Sequence, residues 1–417
     1  MRLKSPREAG TMSLQEIFAT RATRMKASEI RELLKLLDQP GIISFAGGIP
    51  DPDLFPKQAF QDAFNTALTG PIADQGLQYS TSEGHKPLRV WIADQMQKIG
   101  IPATPDNILI TSGSQQALDY LGKLFLSPGD TALVGWPTYL GALGAFNAYE
   151  PRYDKLDPLS NRSAADYMAE ADAAGGKAKF AYLSVDFANP TGATVSRAAR
   201  ERVIDLADEM DIAVIEDAAY QSLRFDGEAI PPILALEAAR KGGDIEACRT
   251  IYCGSFSKTL SPGLRVGWVC AAMPVINQLV LMKQAADLHS ATLNQIAIAD
   301  VAQQHFDSHV AKIRAAYRGR RDVMLNALEE YMPDGVSWTK PEGGMFIWVT
   351  LPETLDGADL LAESLKTERV AFVPGHAFFA DGSGRNTLRL SYATSDEVKI
   401  VEGISRLGNL ITKALAA

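Results

Sequence analysis

The sequence predicts an α/β fold: a large unit built on a mostly parallel sheet sandwiched by helices, followed by a smaller α+β unit. Three observations predict it. The chain has 417 residues, 46% of them hydrophobic, which is enough apolar material for two or three structural units. From about residue 105 to 270, short apolar runs alternate with longer helical patterns, as βαβ units do. After Met273 the pattern changes to long helices and then to shorter strands.

The first 50 residues hold a helix-like stretch, MKASEIRELLKLL, then Gly41 and an extended Gly/Pro-rich run, ISFAGGIPDP, suited to an arm packed over another part of the protein. Residues 107–111 (NILIT) read as a strand. Ser112-Gly113-Ser114 follows, and then QQALDYLGKLFL, where Ala117, Leu118, Leu121, Leu124 and Phe125 keep helical spacing until Pro128-Gly129-Asp130. Residues 131–135, 179–185, 212–215, 250–253 and 265–270 supply further strands, and Ser196 is a fitting N-cap for a helix over RAARERVIDLADEM. Long helices are predicted over about 274–331, then strands near 346–349, 370–372 and 387–392, and a closing helix from Ser395. No fixed-period repeat supports a solenoid.

Lys and Arg number 41 against 50 Asp and Glu, a formal net charge of −9, and no dense basic tract occurs, so nucleic acid is not an expected partner. Residues 1–14 mix Arg2, Lys4, Arg7 and Glu8 with small residues and lack the apolar stretch of an export signal. No apolar run reaches the roughly 18 residues of a spanning helix, so no membrane partner is expected. Cys248, Cys253 and Cys270 are odd in number and not in metal-ligand spacing; a reducing cytoplasm and no bound metal are expected.

The chemistry gathers at strand ends. Lys258, in Gly254-Ser255-Phe256-Ser257-Lys258, follows the strand TIYC, where open α/β folds place ligands. Its amine can form a Schiff base with an aldehyde when desolvation and nearby positive charge keep it partly deprotonated, and Ser255 and Ser257 can bond a phosphate. Taken alone, S-x-S-K also reads as a solvated loop. Arg265, in GLRVGW, lies on a strand too apolar for an unpaired guanidinium; a phosphate or an internal carboxylate would satisfy it. Ser114 and Gln115 open a helix whose free N–H groups favour phosphate, or simply cap it. Asp217 ends the run that begins at Ile212 and could pair with a protonated ring nitrogen, while Glu216 beside it illustrates that carboxylates often end strands as surface charges. Tyr220, and Asn189 in Asn189-Pro190-Thr191-Gly192, could bond a cofactor phenolate, although Asn-Pro-x-Gly is also a good turn.

Together these residues resemble the class I/II aminotransferases of fold type I, which use pyridoxal 5′-phosphate (PLP), and most closely the branch of 2-aminoadipate and kynurenine aminotransferases, whose motifs recur in order from about Arg24 onward. The resemblance implies a PLP-dependent transferase fold with an N-terminal arm and part of the small domain over 1–54, a large PLP-binding domain over 55–300 and a small C-terminal domain over 301–417. It implies that Lys258 is the Schiff-base lysine, Asp217 the ring-nitrogen partner, and Asn189 with Tyr220 the partners of the ring O3′. Ser114, Gln115, Ser255, Ser257 and Arg265 would form the phosphate cup, and Tyr139 in Trp136-Pro137-Thr138-Tyr139 would stack on the ring. Tyr79, in Leu77-Gln78-Tyr79-Ser80, matches a tyrosine lent to the neighbouring subunit's phosphate, which implies a homodimer.

On the substrate side the resemblance gives Arg389, in Leu388-Arg389-Leu390, as the clamp on the α-carboxylate, with Asn189 beside it and Gly48 lining the backbone. Arg31 and Ser28, in the stretch from Ala27 to Leu36, would lie near the substrate side chain; the other reading of Arg31 is an exposed helical face. Asp186 and Ala188 stand where relatives usually carry Pro and Gln. The implied activity is transfer of an amino group from an L-amino acid (2-aminoadipate, kynurenine, aromatic or aliphatic) to a 2-oxo acid, with 2-oxoglutarate the expected acceptor. A β-lyase on the same scaffold is one rival. A PLP-binding regulator is the other, disfavoured by the acidic charge and by an aminotransferase-like region that starts near residue 24.

Overall fold

The computed structural model of the protein describes residues 14–25 and 41–416. The helix expected from MKASEIRELLKLL, with Ser28 and Arg31 in it, lies beyond Met25 and outside the described residues.

After β1 (Ile43–Ser44) come β2 (Ile108–Thr111), β3 (Thr131–Val134), β4 (Arg152–Lys155), β5 (Ala178–Ser184), β6 (Ala213–Asp217), β7 (Thr250–Ser255) and β8 (Gly267–Cys270). The last seven make one sheet in the order β2-β8-β7-β6-β5-β3-β4. Helices such as Ser114–Phe125, Arg197–Met210 and Ile233–Arg240 connect successive strands and carry the chain back across the sheet, so those strands run parallel. No helix separates β7 from β8, and β8 pairs antiparallel with both β7 and β2. Its first residues therefore sit on the same edge as the carboxyl ends of all the others. Both sheet faces are buried: Ile108 and Ile110 pack with Leu88, Trp268 and Ala297 on one side, and Leu109 packs with Leu118, Phe180 and Ile215 on the other. β4 escaped the sequence reading because RYDK is an exposed, charged edge strand with no apolar run. Ser196 caps its helix as expected, accepting the Ala199 N–H at 3.3 Å.

Two findings revise the sequence reading. Arg265 is not buried in an apolar strand: the strand begins at Gly267, and Arg265 stands exposed in the preceding turn with φ +52°. Glu216 is not a surface charge either. It is fully buried and accepts the N–H groups of Ile233 and Leu234 at 2.7 and 3.0 Å, at the start of the helix Ile233–Arg240. Burial pushes its carboxyl up to about 7, against those two N–H groups. Alternation along β6 turns Glu216 to the helix and Asp217 away from it, so only Asp217 is free to serve a ligand.

The second unit follows the helices Met273–Ala286 and Thr292–Tyr331. Its strands are β9 (Ser337–Trp338), β10 (Phe346–Thr350), β11 (Val370–Ala371), β12 (Val373–Pro374) and β13 (Thr387–Ser391). β12-β13-β10-β9 form an antiparallel sheet, while β11 takes β1 as a parallel partner, which ties the arm to this unit. The 40-residue helix, roughly 60 Å long at 1.5 Å per residue, packs on Lys57–Thr69 at one end and on the final helix Glu397–Ala416 at the other. Among the described residues no helix is long and apolar enough to cross a membrane.

Candidate active site

Asp217 closes β6 and is 5% exposed. Its Oδ2 accepts the Tyr182 hydroxyl from the neighbouring β5 at 2.8 Å, and its Oδ1 has no hydrogen-bond partner. Burial pushes the carboxyl up; the Tyr182 bond pulls it back. A buried carboxylate oxygen without a donor is costly, and a cationic N–H delivered by a ligand would relieve it.

Lys258 lies three residues beyond the end of β7, half-buried, with Nζ donating to the Gly48 carbonyl at 2.8 Å. Burial, then the charges of Arg389 and Arg265, lower its pKa to about 8, with Asp217 opposing. A lysine so placed is neutral in roughly a tenth of molecules one pH unit below that value, far more than an amine left near its ordinary value. Tyr220, 6% exposed, presents its ring 5.8 Å from the amine.

Arg389 projects from the middle of β13 and is 1% exposed. Nη1 donates to Asn189 Oδ1 and Nη2 to the Ala46 carbonyl, both at 2.7 Å, while Nε has no partner. The guanidinium is sandwiched between the rings of Phe346 and Phe378, 4.2 and 5.1 Å to the centroids. No carboxylate neutralises it among the described residues, and burial lowers its pKa to about 10. A buried, uncompensated guanidinium with fork geometry is a receptor for a ligand carboxylate.

The third element is a polar cup where β2, β7 and β8 meet. Gly113 turns with φ +78° into the helix Ser114–Phe125, and a Cβ there would lie 2.3 Å from Arg265 Nη2. Only glycine fits beside that guanidinium. Arg265 reaches the cup from outside, donating to the carbonyls of Ser112 and Pro262 at 3.3 and 3.2 Å, so its charge is met by backbone alone. Ser255 donates to Ser257 Oγ at 2.9 Å, and Gln115 donates to the Gly141 carbonyl at 2.7 Å. Free N–H groups at the helix start, two hydroxyls and a guanidinium make an anion site. Tyr139, just before the helix Leu140–Asn147, feels the charges of Asp217, Arg389 and Arg265 at its hydroxyl, so it faces the same space.

The fold thus brings together Ser114, Gln115, Tyr139, Asn189, Asp217, Tyr220, Ser255, Ser257, Lys258, Arg265, Arg389 and Gly48. It does not bring in Tyr79, which is 79% exposed with its ring edge-on to His289 at 6.0 Å. Four contributors escaped the sequence reading: Tyr182, Phe346, Phe378 and the Ala46 carbonyl. Of these only Tyr182 carried a signal, a hydroxyl inside an otherwise apolar strand.

The expected PLP fits this arrangement on observations internal to the chain. The orphaned Asp217 Oδ1 suits a ring N–H⁺, the Lys258 amine is depressed toward reactivity, and the Gly113 cradle and Arg265 suit a phosphate.

Comparison with known proteins agrees with the geometry. The profile of aminotransferase class I and II matches residues 57–407. The chain is 43% identical to aromatic-amino-acid aminotransferase 1 of Thermococcus litoralis, over 99% of this chain and 98% of that one. It is 44% identical to a 2-aminoadipate transaminase of Thermus thermophilus, over 97% and 99%. Among solved structures, a kynurenine aminotransferase of Pyrococcus horikoshii, in complex with PMP and kynurenine, superposes with a TM-score of 0.88 at 42% identity, covering 97% of this chain and 99% of that one.

Proposed function

The chain belongs to the class I and II aminotransferases, which are PLP-dependent, and on that premise we propose that it moves the amino group of an L-amino acid to a 2-oxo acid, with 2-oxoglutarate as acceptor, through Lys258, Asp217 and Arg389. One observation carries the assignment of these residues: a depressed lysine amine, an orphaned buried carboxylate oxygen and an uncompensated buried guanidinium lie close enough together for the charges of Asp217 and Arg389 to act on Lys258.

When bound, PLP supplies a carbonyl carbon for amines and an electron-poor ring that accepts the electrons of the substrate Cα–H bond. Asp217 would hold a proton on the ring nitrogen. Asn189 and Tyr220 would bond the ring oxygen, Tyr139 would cover the ring face, and Ser114, Gln115, Ser255, Ser257 and Arg265 would hold the phosphate. Arg389 takes the α-carboxylate as a fork, orienting the Cα–H bond toward Lys258. The Lys258 amine, more often neutral than an unshifted lysine, would receive the α-proton at Nζ and deliver it to the former carbonyl carbon of the cofactor, with the Gly48 carbonyl as its resting acceptor.

Arg31 and Ser28 belong beside the substrate side chain, where a guanidinium can pair with a distal carboxylate or stack on a ring; 2-aminoadipate, kynurenine and aromatic or aliphatic donors are the candidates. A homodimer accounts for the exposure of Leu77, Tyr79, Leu281 and Leu288, at 72, 79, 56 and 53%, and gives Tyr79 a partner's phosphate to bond. Residues 55–300 serve as the PLP-binding unit and 301–417 with the arm as the small unit, and the enzyme works in the cytoplasm.

A panel of L-amino donors with 2-oxoglutarate, run on the unmodified protein and on Arg31→Ala, tests the reading. Glutamate should form from 2-aminoadipate, kynurenine or aromatic donors, and Arg31→Ala should lose acidic or aromatic donors selectively. Ammonia with pyruvate in place of glutamate would identify a β-lyase, and binding of PLP without any turnover a regulator.

The amine also sets a pH dependence. Only neutral Lys258 attacks the PLP carbonyl, so capture by cofactor-free protein should slow about tenfold per pH unit below 8 and level off above it. Stopped-flow absorbance from pH 6 to 10 reads this directly. A rate still climbing between pH 9 and 10 would mean an unshifted lysine.

A further inference from the structure

Arg389 is gripped from two directions. Asn189 holds one edge of its guanidinium at 2.7 Å, and the Phe346 ring covers a face at 4.2 Å. The segments carrying these two residues meet at a charge cluster built on the buried Asp186 and Arg200. Asp186, 3% exposed, lies three residues before Asn189. Its Oδ1 accepts Arg200 Nη2 at 2.7 Å and Arg224 Nη2 at 3.3 Å. Arg200 is completely buried and spends its remaining donors on the carbonyls of Val185, Val195, Ile230 and Pro231. Arg224 also donates to Glu342 at 2.8 Å and lies 4.8 Å over the Phe187 ring.

Phe187 joins the two sides. It is fully buried with φ +52°, and its ring and Cβ press on Gly343 and Gly344, where added Cβ atoms would come within 2.6 and 2.5 Å of it. Gly344, at φ +77°, leads through Met345 to Phe346. Leu223 completes the clamp by accepting the Gly344 N–H at 2.9 Å, and Glu342 accepts the Phe225 N–H at 2.7 Å. Segments 186–192, 223–226 and 342–346 are thus locked together with Asp186 at the junction.

We propose that Asp186, through Arg200 and Arg224, is a positioning residue for the carboxylate-binding Arg389, holding Asn189 and Phe346 at the spacing that aims its guanidinium. It touches neither substrate nor cofactor. The inference rests on the assignment of Arg389 above and adds a residue whose effect falls on carboxylate recognition rather than on proton transfer.

Asp186→Asn keeps the shape and one acceptor while removing the charge that draws both arginines inward. In the PLP-loaded dimer it should raise KM for amino and 2-oxo acid alike by about tenfold, with kcat changed by less than about threefold and the absorbance of bound PLP unchanged. Binding of the non-reacting carboxylates glutarate and 3-phenylpropanoate, read by tryptophan fluorescence without turnover, should weaken in the same ratio. In an Arg389→Ala background the Asp186→Asn change should have no further effect. Unchanged carboxylate binding, a kcat loss as large as the KM rise, or a full effect in the Arg389→Ala background would each overturn the proposal. Should Asp186→Asn not fold, Arg224→Met, at a side chain that reaches the surface, must show the same signature or the idea fails. Because carboxylate binding is measured without turnover, it is decided separately from the aminotransferase reading, which fails instead if the unmodified protein binds carboxylates yet forms no glutamate.

Discussion

Lys258→Ala should retain PLP noncovalently and lose steady turnover by at least about 10⁴-fold, the upper range for removing a group that is both nucleophile and acid–base catalyst. Among the described residues the other cations acting on Lys258 are Arg389 and Arg265, and a guanidinium stays protonated near neutral pH and cannot take its place. The phosphate cup and Asp217 are untouched by the substitution, so cofactor binding should weaken far less than the rate. Borohydride treatment and peptide mapping supply the second readout, with a pyridoxyl adduct at position 258 in the unmodified protein and none there in the variant. Full activity in Lys258→Ala, or an adduct on another lysine, would end the assignment.

Asp217→Asn should be the next most damaging change. The amide preserves volume and can still meet the Tyr182 hydroxyl, but it removes the buried anion that closes β6 and acts on Lys258. Breaking a buried charge pair by neutralising one member costs about 3 to 5 kcal/mol, which corresponds to roughly 10²- to 10⁴-fold in rate if the loss falls on the transition state. PLP should bind more weakly and its ring nitrogen should no longer hold a proton at neutral pH, a change visible in the cofactor's absorbance. Turnover within about threefold of the unmodified protein would show that the carboxylate is structural.

The sequence singles out both residues for one reason. In a parallel sheet, apolar runs mark the strands, and polar residues at or just past the end of a run sit where ligands bind; Asp217 closes β6, while Asn189 and Lys258 follow within a few residues of β5 and β7. Contributors that arrive from elsewhere were not legible. Phe346 and Phe378 reach Arg389 through the packing of the second unit, and the Ala46 carbonyl reaches it because β1 pairs with a strand far along the chain. Asp186 stood out in the sequence only as an odd residue before a turn, because its partners Arg200 and Arg224 are distant and their burial is a tertiary fact. Arg265 was misread because GLRVGW resembles a strand throughout, while the turn that reverses β8 consumes its first residues.

That reversal also bears on the order in which the protein can be made. β2 hydrogen-bonds only to β8 within the sheet, so a strand synthesised near residue 110 has no neighbour until residue 270 has emerged. Pairing across so long a loop is slow and comes after local structure has formed. The nascent chain would accordingly gain affinity for a phosphate only once this pairing, the most distant within the seven-stranded sheet, closes, and cofactor uptake would report that this sheet is complete.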